Sequence, residues 1–247
     1  KSHTSVNFNR LNNLEIKNLS YRYLNQTNDV LRDVNFKLGK NDVLGIIGDS
    51  GSGKTTLANI ICGLLKPKSG HVLINDKITE EQNFKDYNIS YMPQFTNIID
   101  ENIDLNIAYG FDEENIDKKK IIESLNIAEL GKADKDFYQK QMGEGGLNIS
   151  GGQKQRIGLA RTIYHDPDLL ILDEPTSDLD FKTQDKIIEN LKLFSKNKIT
   201  IIIAHRLNTL EICNKLLILE NGLLSDFGPK NEILKKNSDL SKFFKNR

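Results

Sequence analysis

Apolar residues follow two kinds of spacing along this chain of 247 residues. Short, nearly unbroken runs recur at Val43-Leu44-Gly45-Ile46-Ile47, Leu169-Leu170-Ile171-Leu172 and Ile199-Thr200-Ile201-Ile202-Ile203-Ala204. Runs of this length, bounded by turn residues, predict parallel strands buried on both faces. Behind the first run, Leu57, Ile60, Ile61, Leu64 and Leu65 return at helical spacing and predict a helix. Further helices are expected over about 150–165 and about 180–194. The N-terminal part is β-rich from about 14 to 47, with Tyr21, Tyr23, Val30, Val34 and Phe36 on strands, and strands are expected near 71–74 and 88–92. Glu220-Asn221-Gly222 between apolar segments predicts a hairpin, because Asn-Gly supplies the positive φ angles of a two-residue turn. Strands alternating with helices give an α/β class.

Between the strand near 88–92 and the run at 169, a helical insert is predicted from about Phe95 to Ala160. It holds a charged stretch, Asp112 to Lys120, which reads as a solvated helix face. Residues 229–247 are expected to form terminal helices. Lys1 to Asn13 is polar and without periodicity, and reads as a linker or tag remnant ahead of a domain spanning 14–247. The length suits one α/β core with an inserted helical subdomain.

The chemistry lies in the turn after the first apolar run. Gly48-Asp49-Ser50-Gly51-Ser52-Gly53-Lys54-Thr55 is a phosphate-binding loop, whose backbone N–H groups can point into one concavity. Lys54 would reach the β- and γ-phosphates and Thr55 would place its hydroxyl on Mg²⁺, with Thr56 behind it. The helix starting near Gly53 would turn its positive end toward the same anion. At the end of the second run stand Asp173 and Glu174. Parallel sheets place ligands outside the carboxyl ends of their strands, so Asp173 falls near the metal and Glu174 near the γ-phosphate, where it can polarise a water. A second role for Glu174, capping the turn before Pro175, is also open.

These features, with Asn148-Ile149-Ser150-Gly151-Gly152-Gln153, resemble the nucleotide-binding domain of ATP-binding cassette (ABC) transporters over about residues 14–228. The resemblance implies a P-loop NTPase core with an N-terminal antiparallel β subdomain and an inserted α-helical signature subdomain. It makes Ser150, Gly151, Gly152 and Gln153 the family signature, with Ile149 in place of the usual leucine. Gln94 matches the glutamine loop, whose amide can reach the Mg²⁺ shell. Ser177-Asp178-Leu179-Asp180 is similar to the D-loop, with Asp178 replacing the usual alanine. His205 matches the switch histidine. Tyr23 takes the place of the aromatic that stacks on adenine, a contact of roughly 1 to 3 kcal/mol by analogy with base stacking. Tyr21 competes for that role, since the two would share a face of an alternating strand. Asn41 stands where cassettes usually have glycine, and asparagine tolerates the left-handed conformation.

The resemblance also implies an assembly. In the family a P-loop and a signature act on one ATP only from opposite subunits, so a head-to-tail homodimer with a second nucleotide-binding domain is expected. Gln141-Met142-Gly143-Glu144-Gly145-Gly146-Leu147 resembles the loop that faces the membrane domains in exporters, and Asp100-Glu101-Asn102-Ile103 likewise. Pro175 is commoner in importers, which keeps an importer subunit as the alternative. A soluble cassette ATPase fits less well: only residues 55–149 separate the two motifs, without the long coiled coils of the DNA-repair members.

Composition agrees with an ATPase that works beside a membrane partner. Lysine plus arginine equal aspartate plus glutamate at 34 each, so no net field points to nucleic acid. No apolar run approaches the ~20 residues of a membrane span and no signal peptide is visible. The membrane domain is therefore expected fused upstream or as a separate subunit, with this soluble part on the cytoplasmic face of a bacterial inner membrane. Cys62 and Cys213 have no metal spacing and read as small core residues.

Overall fold

The computed structural model describes residues 8–24, 26–131, 137, 140–204, 206–237 and 240. The strands are β1 (Asn13–Tyr21), β2 (Leu31–Gly39), β3 (Val43–Ile47), β4 (Ser69–Ile74), β5 (Lys77–Ile78), β6 (Ile89–Met92), β7 (Leu169–Asp173), β8 (Ile199–Ile203), β9 (Lys215–Glu220) and β10 (Leu223–Pro229). The helices are α1 (Lys54–Ile61), α2 (Ile103–Ile107), α3 (Lys118–Ile127), α4 (Gly151–Tyr164), α5 (Phe181–Phe194) and α6 (Lys230–Lys236). Among the described residues, the ten strands join one mixed sheet in the order β5-β4-β1-β2-β10-β9-β3-β8-β7-β6.

One half of this sheet is parallel, running β9-β3-β8-β7-β6. Its strands are unbroken apolar runs because both faces are covered. Successive side chains alternate between the covers: Leu169 and Ile171 of β7 join the cluster around Leu57, Ile60 and Ile61 of α1. Leu170 and Leu172 join the opposite cluster, with Ile187 and Leu191 of α5 and Ile157 of α4. A leucine fully withdrawn from water in this way contributes about 1.5–3 kcal/mol. Three of the parallel strands, β3, β8 and β7, are adjacent, so their carboxyl ends meet at one edge of the layer.

In the other half β5, β4, β1 and β2 are antiparallel, with β1 between β2 and β4, and β10 joins β2 in a parallel pairing. The alternation of this half is broken once in each central strand. Asn18 and Asp33 both take φ +48° and are hydrogen-bonded to each other at 2.9 Å. The extra residue at each bulge sets the buried residues Ile16 and Leu19, and likewise Leu31 and Val34, three positions apart where a regular strand has two. The hairpin of β9 and β10 turns through Asn221 (φ +49°) and Gly222 (φ +81°), as the Asn-Gly pair predicts. Asn41 takes φ +68°, the left-handed turn expected of it.

Between β6 and β7 lie α2, α3 and α4. The Tyr164 hydroxyl of α4 accepts from the Asp117 N–H at 3.0 Å, and Arg161 donates to the Asn106 carbonyl at 2.7 Å and the Asn97 carbonyl at 2.9 Å. These bonds fasten the signature helix to the rest of the insert.

Several local expectations are corrected. Strand β1 ends at Tyr21 and β2 starts at Leu31, so Tyr23 and Val30 sit in the connecting loop. Helix α1 ends at Ile61, and Leu64, past the turn at Gly63 (φ +75°), is exposed. The Asp112–Lys120 stretch is not one helix face: Glu113–Asn115 form a 3-10 turn, and Asp117 then caps α3 by accepting from the Lys119 and Lys120 N–H groups. Of the polar N-terminus, Leu11 is fully buried and its N–H donates to Asp168 at 3.0 Å. Residues 1–7 lie outside the described residues, as do 238–239 and 241–247 of the expected terminal helices.

Candidate functional site

The turn from β3 into α1 is shaped by two glycines. Gly48 runs so close to the Leu219 carbonyl and the Ser52 hydroxyl that a Cβ there would collide with both. Gly53, the N-cap of α1, takes φ +104°, which L side chains rarely adopt. The loop then folds over Lys54, which is only 6% exposed. Its ammonium donates to the carbonyls of Gly48 at 2.7 Å and Asp49 at 2.8 Å. Burial pulls the Lys54 pKa down, while the negative charges of Asp173, Glu174 and Asp49 work against that.

Thr55 and Asp173 are far apart in sequence and meet at the carboxyl edge of the sheet. The Thr55 hydroxyl donates to Asp173 Oδ2 at 2.8 Å. Asp173 is 1% exposed. The next residue, Glu174, is half-buried and takes φ +53°, an uncommon backbone state for a long side chain. Its N–H donates to the Ile203 carbonyl at 2.8 Å, which holds the strained turn against β8. Glu174 also takes part in the turn before Pro175, since its carbonyl accepts from the Ser177 N–H at 3.4 Å. That is a backbone role, and the residue also lines the cavity described next.

One cavity of about 320 Å³ is lined by Tyr23, Gln26, Val30, Ser50, Gly51, Gly53, Lys54, Thr55, Thr56, Gln94, Asp173 and Glu174. The sequence thus spreads over 150 positions what the fold brings to one pocket, through the carboxyl ends of β3, β6 and β7. Tyr23 closes the cavity at the side of the β1–β2 loop, and its hydroxyl shares a hydrogen bond with Thr56 at 3.1 Å. Tyr21 stands behind it, edge to face with ring centroids 4.9 Å apart, and does not line the cavity. Gly48, Asp49 and Ser52 of the loop do not line this cavity.

The residue set fits a Mg²⁺–nucleotide. Thr55, Asp173 and Gln94 offer hydroxyl, carboxylate and amide oxygens, the hard donors that Mg²⁺ prefers. A buried lysine under a glycine-rich loop at a helix N-terminus suits phosphate.

Ser150 to Gln153 lie elsewhere. Ser150 caps α4, accepting from the Gln153 N–H at 3.2 Å, and the Ser150 N–H donates in return to Gln153 Oε1 at 2.8 Å. Ser150 and Gly151 are exposed, and none of the four lines the cavity. His205 lies outside the described residues.

Three residues had not been singled out from the sequence. Gln155 of α4, 4% exposed, donates to the Glu174 carbonyl at 2.7 Å and the Ser177 hydroxyl at 2.9 Å, and accepts from the Asp178 N–H at 3.1 Å. It ties the signature helix to the strained turn. Arg206 donates to the Leu179 carbonyl at 3.3 Å and to Gln184 at 3.4 Å. Tyr91 of β6 pairs with Ile171 and so shares a sheet face with Asp173; burial first, then the charge of Asp173, push its phenol up from the ordinary tyrosine value. A polar tip inside a buried face needs a partner, and that is the signal available for Gln155.

Comparison with known proteins decides the lineage. Residues 31–177 match the family described as ABC transporter. The chain belongs to the ABC transporter family. It is 33% identical over 232 residues to the alpha-hemolysin translocation ATP-binding protein of Escherichia coli, covering 92% of this chain and 33% of that protein. It is 32% identical over 230 residues to the ATP-dependent lipid A-core flippase of Cupriavidus metallidurans, covering 91% of this chain and 39% of the flippase. The structure of a bacterial Atm1-family ABC exporter with ATP bound superimposes with a TM-score of 0.85 at 26% identity, over 96% of this chain and 42% of that one. This ABC chain therefore spans about a third to two-fifths of the length of its relatives. Among the described residues, no helix is long and apolar enough to cross a membrane.

Proposed function

We propose that this chain binds ATP with Mg²⁺, hydrolyses it, and drives export through a membrane domain fused upstream or carried on a separate subunit. The observation that carries this reading is the single cavity shared by Tyr23, the loop around Lys54, Gln94, Asp173 and Glu174. Tyr23 would stack on the adenine. The loop N–H groups and Lys54 would hold the phosphates, the ammonium exchanging its carbonyl partners for phosphate oxygens. Thr55, Asp173 and Gln94 would hold Mg²⁺, whose charge offsets that of the phosphates. The Glu174 carboxylate would orient and polarise the attacking water, with His205 holding the γ-phosphate and water in line.

The exposed N-terminus of α4 supports a dimer. Ser150, Gly151, Gly152 and Gln153 do not line the chain's own cavity, and Ser150 and Gly151 are exposed, so this helix start would meet the γ-phosphate held by a second copy in a head-to-tail pair. Separation of two such copies after hydrolysis would pull on the membrane domains. The Gly143–Leu147 loop suits that contact: it is held by Asp100, whose carboxylate accepts from the Gly143 N–H at 2.7 Å, while Leu147 remains exposed. The exporter relatives favour outward transport from the cytoplasmic face of the membrane.

Phosphate release by the purified chain tests the reading. Turnover should require Mg²⁺ and vanish in Lys54→Ala; activity equal in the two proteins would overturn it.

A further inference from the structure

Strand β1 ends at Tyr21 and β2 starts at Leu31, and three residues of the loop between them, Tyr23, Gln26 and Val30, line the nucleotide cavity. The Val30 N–H closes the base of this loop by donating to the Tyr21 carbonyl at 2.8 Å, and the Gln26 N–H closes a turn on the Tyr23 carbonyl at 3.0 Å. Apolar packing does little for the tip, since Leu24, next to Tyr23, is fully exposed. Fixing a loop costs backbone entropy at each residue, so other contacts have to hold this one.

An ionic clamp supplies them. The Lys68 ammonium, from the connection between α1 and β4, donates to both carboxylate oxygens of Asp29, at 2.9 and 3.1 Å. Lys68 is itself anchored to the sheet, its N–H donating to the Ser20 carbonyl of β1 at 2.9 Å. On the other side, Arg22 Nε stands 3.7 Å from Asp29 Oδ1, and the same guanidinium donates to the Thr27 carbonyl at 3.1 Å. One carboxylate near the end of the loop thus joins Arg22, the neighbour of Tyr23, to a lysine fixed outside the loop. The hydrogen bond from Lys68, with the charges of Lys68, Arg22 and Arg32, holds the Asp29 carboxyl below the ordinary carboxylate value. Isolated surface ion pairs contribute little, but a carboxylate shared by two cations and bonded through both oxygens is the arrangement in which they count.

We propose that Asp29 is a positioning residue for base recognition, clamping the β1–β2 loop to Lys68 and so holding the Tyr23 ring ready for the adenine. This rests on the stacking role proposed for Tyr23. None of the three clamp residues lines the nucleotide cavity, so the clamp should favour a ligand that carries a base and leave phosphate binding alone. Its sign also differs from that of simple charge. Removing an anion by Coulomb's law would strengthen the binding of any polyphosphate, whereas losing the clamp weakens the nucleotide alone.

The test is calorimetry of the full chain with ADP and with inorganic pyrophosphate, both with Mg²⁺. Asp29→Asn should weaken ADP about fivefold and leave pyrophosphate within about twofold of wild type. Tyr23→Ala should weaken ADP about tenfold, and adding Asp29→Asn to it should weaken ADP no further, because the clamp acts through that ring. Lys68→Met breaks the clamp from its other side and should lower the preference for ADP over pyrophosphate in the same way, which keeps the test open if Asp29→Asn does not fold. An unchanged preference in the clamp variants, or effects of Asp29→Asn and Tyr23→Ala that simply add, overturns this proposal alone. Equal binding of ADP by wild type and Tyr23→Ala overturns the stacking role of Tyr23, and this proposal with it.

Discussion

Thr55 Oγ1 donates to Asp173 Oδ2 across 2.8 Å, joining the first turn of α1 to the end of β7. The bond connects the phosphate loop to the strand that carries both acidic candidates, and it holds the donors expected for Mg²⁺ within reach of each other. Thr55→Val keeps the shape and deletes the hydroxyl. Nucleotide affinity in EDTA should stay within about twofold, while the Mg²⁺ concentration for half-maximal turnover rises by about tenfold or more. An unchanged Mg²⁺ requirement would take Thr55 out of the metal site.

Ser150→Arg tests the shared site. The change removes the cap of α4, at a cost of ~1 kcal/mol, and places bulk and charge on an exposed helix start. ATP binding by the monomer should remain nearly intact, and ATP-dependent dimerisation and most hydrolysis should be lost. Sedimentation with ATP in a non-hydrolysing background is the measurement. A dimer that persists would argue against the head-to-tail pair.

How much of this was legible in the sequence depends on how far apart the partners lie. The phosphate loop is one continuous segment, and the buried runs of β3, β7 and β8 announce a parallel layer by themselves, so Lys54, Thr55, Asp173 and Glu174 could be placed at one edge. The path of Tyr23 could not. Its position depends on paired bulges at Asn18 and Asp33 and on a strand that stops at Tyr21, and bulges leave only a one-residue slip in the alternation. Gln155 was hidden for a different reason. It sits on a buried helix face, and the groups that satisfy it belong to the turn after β7, 19 to 23 positions further along the chain.

The pH dependence of stability offers a check on packing under the insert. His165 lies against Phe111 and Tyr164, with ring centroids 5.6 and 5.8 Å away. Burial first, then the positive charges of Lys120 and Arg161, lower its pKa from 6.5. The folded state therefore favours neutral His165. Its contribution is fully present above the unfolded value and is lost as pH falls below about 6.5 toward the folded pKa, because the unfolded chain binds the proton first. His165→Gln should lose less stability than wild type between about pH 7.5 and about pH 5.5, as read from denaturant midpoints. Parallel loss in both proteins would show that His165 is not the group responsible.

Glu174 carries the central claim. It holds a left-handed backbone state next to the buried Asp173, it lines the cavity, and its carbonyl and N–H are both tied down, by Gln155 and Ile203. Glu174→Gln preserves size and hydrogen bonding but removes the negative charge that would polarise water. The decisive measurement is ATP turnover of Glu174→Gln beside wild type, with size-exclusion chromatography of each in ATP. The account predicts that turnover falls by roughly 10²-fold or more while ATP binding survives and an ATP-held dimer accumulates. Near-normal turnover, with no dimer, would contradict it and move the water-activating role to another residue.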